Sequence, residues 1–196
     1  FMEFRVDYLG EPRNTGVDCY LAGNYRVAIE CKFTESEVGT CSRPRLSHAD
    51  PARCNGTYTK QGARIERCAL TESGVLYWRY VPQLFHWDRA KDMSPCPLRA
   101  NYQLVRNVLA AGVRPDGHVS KDNGHAVLIY DERNPAFQKG GKGWTAFTET
   151  RQALREPTVL RKCSWQRISQ YMRKKSILPW LRELLACKYD LGPTAA

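Results

Sequence analysis

Gly16-Val17-Asp18-Cys19-Tyr20-Leu21-Ala22-Gly23-Asn24-Tyr25-Arg26-Val27-Ala28-Ile29-Glu30-Cys31-Lys32-Phe33 reads as two strands, over 17–22 and 25–33, joined around Gly23-Asn24. Side chains alternate between the faces of a strand. In the second strand Val27, Ile29, Cys31 and Phe33 fall on one face, and Arg26, Glu30 and Lys32 on the other. In the first, Val17, Cys19 and Leu21 lie opposite Asp18. If both apolar sets face one core, Asp18, Glu30 and Lys32 share the other surface. Parity then constrains the turn. A two-residue connection opposes Asp18 to Ile29, whereas a three-residue connection or a bulge opposes it to Glu30. An odd-length connection or a bulge is therefore expected.

Facing side chains in such a pair sit about 4.5–5.5 Å apart at Cβ, so two carboxylates there repel unless a cation lies between them. Hard oxygen donors suit Mg²⁺, with Mn²⁺ as a substitute, because Mg²⁺ accepts one or two carboxylates and keeps several waters. A bound ion of this kind lowers the pKa of a water and polarises a phosphate. Lys32 lies about 6.6 Å from Glu30 along the same face, where an ammonium can orient the attacking water and offset charge on phosphorus. These are the parts that phosphodiester hydrolysis requires. The plainer alternative is a surface hairpin whose Glu30 and Lys32 are only solvated.

Outward from this hairpin, residues 3–8 alternate like a further strand, which makes a three-strand meander. Residues 100–111 have helical spacing, with Tyr102, Val105, Val108 and Leu109 on an apolar face and Gln103, Arg106 and Asn107 on another. The run Ala126-Val127-Leu128-Ile129-Tyr130 suits a buried strand, reached from the helix by a right-handed crossover. Between these parts, residues 34–97 carry four cysteines and five prolines and read as an irregular insertion with a short strand at Val75-Leu76-Tyr77-Trp78. Helices are expected near 145–155, 165–175 and 180–187, with Ser164 as an N-cap and Pro179 at the start of the last. The expected fold class is α/β, a mixed sheet flanked by helices. It forms a single domain over 1–196, with a core of about 1–33 and 98–135, the insertion at about 34–97 and a C-terminal helical part at about 144–190.

The order Asp18 … Ile29-Glu30-Cys31-Lys32, followed by the polar-faced helix Tyr102-Gln103-Leu104-Val105-Arg106-Asn107, resembles the D…ExK signature of the PD-(D/E)XK, or restriction-endonuclease-like, nuclease superfamily. The resemblance covers roughly residues 1–135. It implies a restriction-endonuclease-like mixed β-sheet core and a Mg²⁺-dependent deoxyribonuclease, with the Cys-containing insertion following the ExK strand. Asp18, Glu30 and the main-chain carbonyl of Cys31 would hold the metal, Lys32 would assist the water, and Gln103 would support catalysis. By the same resemblance the substrate is double-stranded DNA, the setting is restriction or defence, and the assembly is a homodimer. Two departures stand out. In the sequence given, no helix is visible before the first strand to carry the further acidic residue many members have, Glu3 and Glu11 falling on or after that strand, and the insertion exceeds the minimal core. Two alternatives stay open. One is a repair or processing nuclease acting on branched or single-stranded ends. The other is a non-catalytic basic nucleic-acid-binding module with a zinc-stapled insertion.

Bulk properties agree with a polyanion partner. Thirty Lys plus Arg against twenty Asp plus Glu give a net charge of +10 over 196 residues, and each phosphate neutralised releases condensed counterions. No apolar run reaches membrane-spanning length and no secretory core opens the chain, so no membrane partner, a cytoplasmic setting (bacterial cytoplasm or nucleoid) and reduced thiols are expected. None of the eight cysteines forms a CxxC pair. Cys41, Cys54, Cys68 and Cys96 could converge on a Zn²⁺ in the insertion, although separations of 13, 14 and 28 positions are not finger-like, and buried thiols are the simpler reading. Arg106, Asn107, Lys139 and Lys142 are candidates for nucleic-acid contact, against ordinary solvated helix and loop positions. Trp78, Trp87 and Trp144 offer rings for base stacking, with core packing as the plainer alternative.

Overall fold

The computed structural model describes residues 2–11, 16–42, 68–87 and 96–191. Its strands are β1 (Met2–Phe4), β2 (Val17–Leu21), β3 (Arg26–Lys32), β4 (Gly124–Tyr130) and β5 (Leu160–Ser164). They form one sheet in the order β1-β2-β3-β4-β5. The first three are antiparallel neighbours, as the meander requires, and β4 runs parallel to β3 and to β5. The helices are α1 (Ala69–Glu72), α2 (Tyr77–Leu84), α3 (Leu98–Gly112), α4 (Lys142–Ala153), α5 (Trp165–Lys174) and α6 (Pro179–Tyr189). The fold is thus a mixed five-stranded sheet with flanking helices. Among the described residues, no helix is long and apolar enough to cross a membrane.

The β2–β3 register follows the parity argument. Cys19 opposes Ile29, Tyr20 opposes Ala28 and Leu21 opposes Val27. The ladder ends at Cys19–Ile29; carried one step further, the same register would set Asp18 opposite Glu30, and at the other end Ala22 opposite Arg26, leaving Gly23, Asn24 and Tyr25 as a three-residue connection. By that parity Asp18 and Glu30 fall on one face.

That face is the opposite of the one expected. Along β3 it is Arg26, Ala28, Glu30 and Lys32 that are buried, while Val27, Ile29 and Cys31 are half-buried. The polar set faces α3, which packs across β3 and β4 with α4 beside it. An apolar–polar alternation gives parity but not the sign of the buried face when the covering helix supplies hydrogen-bonding partners. Phe33 continues the half-buried row and stacks on Trp165 and Tyr189, with ring centroids 4.8 and 4.1 Å away. This stack packs on a smaller second core formed by Met172, Leu185 and Leu191 under α5 and α6.

Four element expectations need correction. β1 is shorter than 3–8, because the chain leaves it for a 3-10 turn at Asp7–Leu9 that buries Leu9. Val75-Leu76-Tyr77-Trp78 is not a strand. Tyr77 opens α2, whose buried Tyr77, Trp78, Tyr80, Val81 and Leu84 recur at helical spacing. β4 is not buried on both faces, since alternate residues are half-buried. β5 escaped the reading because Arg161 and Lys162 interrupt its five residues. Ser164 does cap α5, its hydroxyl accepting from the main-chain N–H of Arg167 at 3.1 Å. Much of the expected insertion, with Cys54 and His48, lies outside the described residues, and so does Pro12-Arg13-Asn14 of the first turn signal.

Candidate active site

α3 is buried on almost every side, including its polar residues. Arg106 and Asn107, one turn beyond Gln103, turn onto β3 rather than outward. Asn107 Nδ2 donates to Glu30 Oε2 at 2.8 Å, and Arg106 Nη2 donates to the same oxygen at 3.4 Å. Arg106 Nε is in turn 3.3 Å from Asn107 Oδ1. The other oxygen of Glu30 faces Lys32 Nζ at 2.8 Å. Glu30 is 1% exposed and Lys32 7%, so this ion pair is desolvated and leaving either charge alone would be costly. The glutamate is held from both sides.

Asp18 stands half-buried across the ladder. Its Oδ2 accepts the main-chain N–H of Cys31 at 2.7 Å, which ties the aspartate to the residue between Glu30 and Lys32. Burial, followed by the Asp18 and Glu30 carboxylates, pushes the Cys31 thiol up to about 12. That thiol therefore stays protonated at neutral pH. Among the described residues no group of three or more His, Cys, Asp or Glu side chains converges as a metal cage. The donor set is two carboxylates on facing strands. By donor chemistry such a pair suits a hard divalent ion that keeps several waters rather than zinc in a closed protein shell, and Glu30 is 1% exposed with both oxygens already bonded.

The remaining sequence candidates separate. Gln103 does not reach Glu30 by a hydrogen bond. Its main-chain N–H meets Gly39 O at 3.5 Å, and its buried Oε1 has no partner among the described residues. Gly39 has φ +98°, and a Cβ there would collide with the Gln103 amide, so glycine is needed for the loop after β3 to lie against α3. Lys139 and Lys142 are exposed just before and at the start of α4, and their side chains join no ion pair among the described residues. Cys41 and Cys68 are buried and Cys96 is half-buried. Cys41 and Cys96 border one cavity, without a third acidic, thiol or imidazole group completing a cluster among the described residues.

Two acidic residues were missed. Glu35 places Oε1 3.9 Å from Lys32 Nζ, and its Oε2 accepts from the main-chain N–H groups of Phe33 and Thr34. Asp131 follows β4, where its main-chain N–H donates to Lys32 O at 3.0 Å. Arg133 grips both Asp131 oxygens, Nε at 3.0 Å and Nη2 at 2.7 Å, and Gln166 Nε2 adds a bond of 2.6 Å. Arg133 holds the Asp131 carboxyl down to about 2, against the upward push of burial. The readable sign was position, since Glu35 and Asp131 both follow the carboxyl ends of neighbouring parallel strands.

Comparison with curated proteins and with solved structures gives no match. Comparison with protein families does: the model of a family described as Restriction Endonuclease associating with ARP matches residues 6–190. The match runs through the hairpin, α3, β4 and the C-terminal helices alike, so the chain belongs to this restriction-endonuclease family, a membership that indicates a nuclease with a role in defence.

Proposed function

We propose that the chain is a Mg²⁺-dependent endonuclease of PD-(D/E)XK type that hydrolyses phosphodiester bonds of double-stranded DNA, with Asp18, Glu30 and Lys32 at its centre. The observation that carries this reading is the 2.8 Å contact of Lys32 with Glu30, beside the Asp18 carboxylate that accepts the N–H of Cys31, the residue between them. When bound, the divalent ion supplies an acidified water and a counter-charge for the phosphate. The protein's own part follows from the geometry. Asp18 and Glu30 offer the oxygen donors, with the carbonyl of Cys31 as a further donor by resemblance. Asn107 and Arg106 fix the Glu30 carboxylate so that it does not swing away from the ion. Lys32, drawn to Glu30, holds an ammonium that would orient the water and offset charge on phosphorus. Mn²⁺ substitutes for Mg²⁺, the net charge of +10 brings the duplex, two copies act together to cut both strands, and the bacterial cytoplasm is the setting.

One observation favours a second reading. Glu30 is almost fully buried and both of its oxygens already have partners, as in a structural ion cluster within a non-catalytic binding module. Cleavage separates the two. Supercoiled plasmid is incubated with the wild type and with Lys32→Ala, in Mg²⁺ and in EDTA. The nuclease reading expects Mg²⁺-dependent nicking or linearisation that falls at least a hundredfold in the variant, while salt-sensitive DNA binding is retained. Cutting by Lys32→Ala at the wild-type rate would remove Lys32 from the site.

A further inference from the structure

Every residue from 173 to 180 is exposed where α5 turns into α6. The order is cationic and then apolar: Arg173-Lys174-Lys175-Ser176, followed by Ile177-Leu178-Pro179-Trp180. Of the eight large apolar side chains exposed among the described residues, five fall between 171 and 184. Exposed apolar side chains gathered in this way, rimmed by polar groups, mark an interaction site. The turn is built rather than slack. The main-chain N–H of Ile177 donates to Met172 O at 3.0 Å, and that of Ser176 to Arg173 O at 3.1 Å. Ser176 and Leu178 both take positive φ, +51° and +49°, which is uncommon outside glycine. The tip is thus held as a knuckle with Ile177 and Leu178 on its outside.

Resting on the nuclease reading above, we propose that this knuckle is a contact surface for duplex DNA, with Arg173, Lys174 and Lys175 on phosphates and Ile177 and Leu178 wedged into the minor groove. Charge complementarity selects the partner. No acidic residue lies between 173 and 182, so the cations beside the apolar tip meet a polyanion without a local counter-charge. A second copy of the same basic tip would be repelled. Position agrees. The far end of α6 is fastened beside the candidate site, where Arg133 Nη2 donates to Tyr189 O at 2.7 Å and Phe33, next to Lys32, stacks on Tyr189. From there the helix runs about 15 Å back to Pro179, less than one duplex turn of about 34 Å. Aliphatic side chains inserted at a base step partly unstack it and bend the duplex, whereas cations on phosphates only position the protein.

The test uses the full chain in EDTA, so that cutting plays no part, and a duplex of about 30 base pairs with central TA steps, which unstack readily. Fluorophores at the duplex ends report bending by energy transfer, and anisotropy gives affinity between about 50 and 200 mM salt. Lys174→Gln with Lys175→Gln should make the salt dependence of log Kd shallower by about two. Ile177→Ser with Leu178→Asn, where asparagine tolerates the positive φ, should weaken binding about tenfold at every salt concentration and leave the slope unchanged. The same apolar variant, once bound, should lose the energy transfer. All four side chains are exposed, so the helices are retained. Affinity, slope and energy transfer unchanged in both variants would overturn the proposal. So would binding of the wild type to vesicles of anionic phospholipid that the apolar variant loses while its DNA binding stays intact. A shallower slope in the lysine variant without any effect in the apolar one would overturn the wedge. Plasmid cleavage is followed in parallel. Unchanged DNA binding in both variants, with Mg²⁺-dependent cutting by the wild type, counts against the knuckle alone, and the expected binding losses without any cutting count against Asp18, Glu30 and Lys32 alone.

Discussion

Glu30 is the residue on which the buried polar face turns, because three groups from two elements point at its two oxygens. Glu30→Ala leaves Lys32 and Arg106 as buried cations without their shared anion. Breaking a buried pair in this way costs about 3–5 kcal/mol, so denaturant unfolding should show a loss of that size, whereas a change under about 1 kcal/mol would mean the cluster is solvated. Asp131 makes a separate prediction in pH. Its folded pKa, about 2, lies below the ordinary aspartate value of 3.8. A depressed carboxyl stabilises the fold above its unfolded pKa and loses that contribution as pH falls through the folded one. The stability difference between wild type and Asp131→Asn should therefore be constant above about pH 5 and shrink between pH 4 and 2. A difference that does not change over that window would refute the Arg133 attribution.

At the scale of elements, the hairpin was legible and its burial was not. Alternation in 17–22 and 25–33 gave the strands and the parity argument gave the three-residue connection, since both are local consequences of a two-residue period. Which face is covered depends on α3, whose Arg106 lies 76 residues after Glu30, and on Arg106 and Asn107 being partners for Glu30 rather than solvent-facing groups. The same limit explains α2, where a four-residue apolar run does not distinguish strand from helix, and β5, whose Arg161 and Lys162 mask a strand that exists because β4 pairs with it. Glu35 meets Lys32 within one segment, three positions on, and was legible from spacing, whereas Asp131 reaches Lys32, through its main-chain N–H, only once β3 and β4 run side by side. The register carries its own test. Inserting one alanine between Asp18 and Cys19 leaves the Ala22–Arg26 end of the hairpin in place but moves Asp18 opposite Cys31, sending the carboxylates to opposite faces. The variant should retain helical circular dichroism but lose Mg²⁺-dependent cutting, and wild-type cutting would contradict the register argument.

For the whole molecule, charge and family membership point the same way. A chain with a net charge of +10 that belongs to a restriction-endonuclease family should bind duplex DNA with an affinity that falls steeply as salt rises. A flat dependence between about 50 and 200 mM salt would argue against phosphate contacts. The exposed Lys139 and Lys142 near the start of α4 are candidates for part of that slope, and the buried Arg106 is not, because its charge is already matched to Glu30.

The centre itself is tested most directly by Mn²⁺ binding, followed by electron paramagnetic resonance, to the wild type and to Asp18→Asn. Asparagine can still accept the Cys31 N–H, so the fold is preserved while one carboxylate charge is removed. The wild type should bind Mn²⁺ and the variant should bind it at least tenfold more weakly, with cleavage lost in step. Equal Mn²⁺ affinity and equal cutting by the two proteins would contradict a metal held between Asp18 and Glu30.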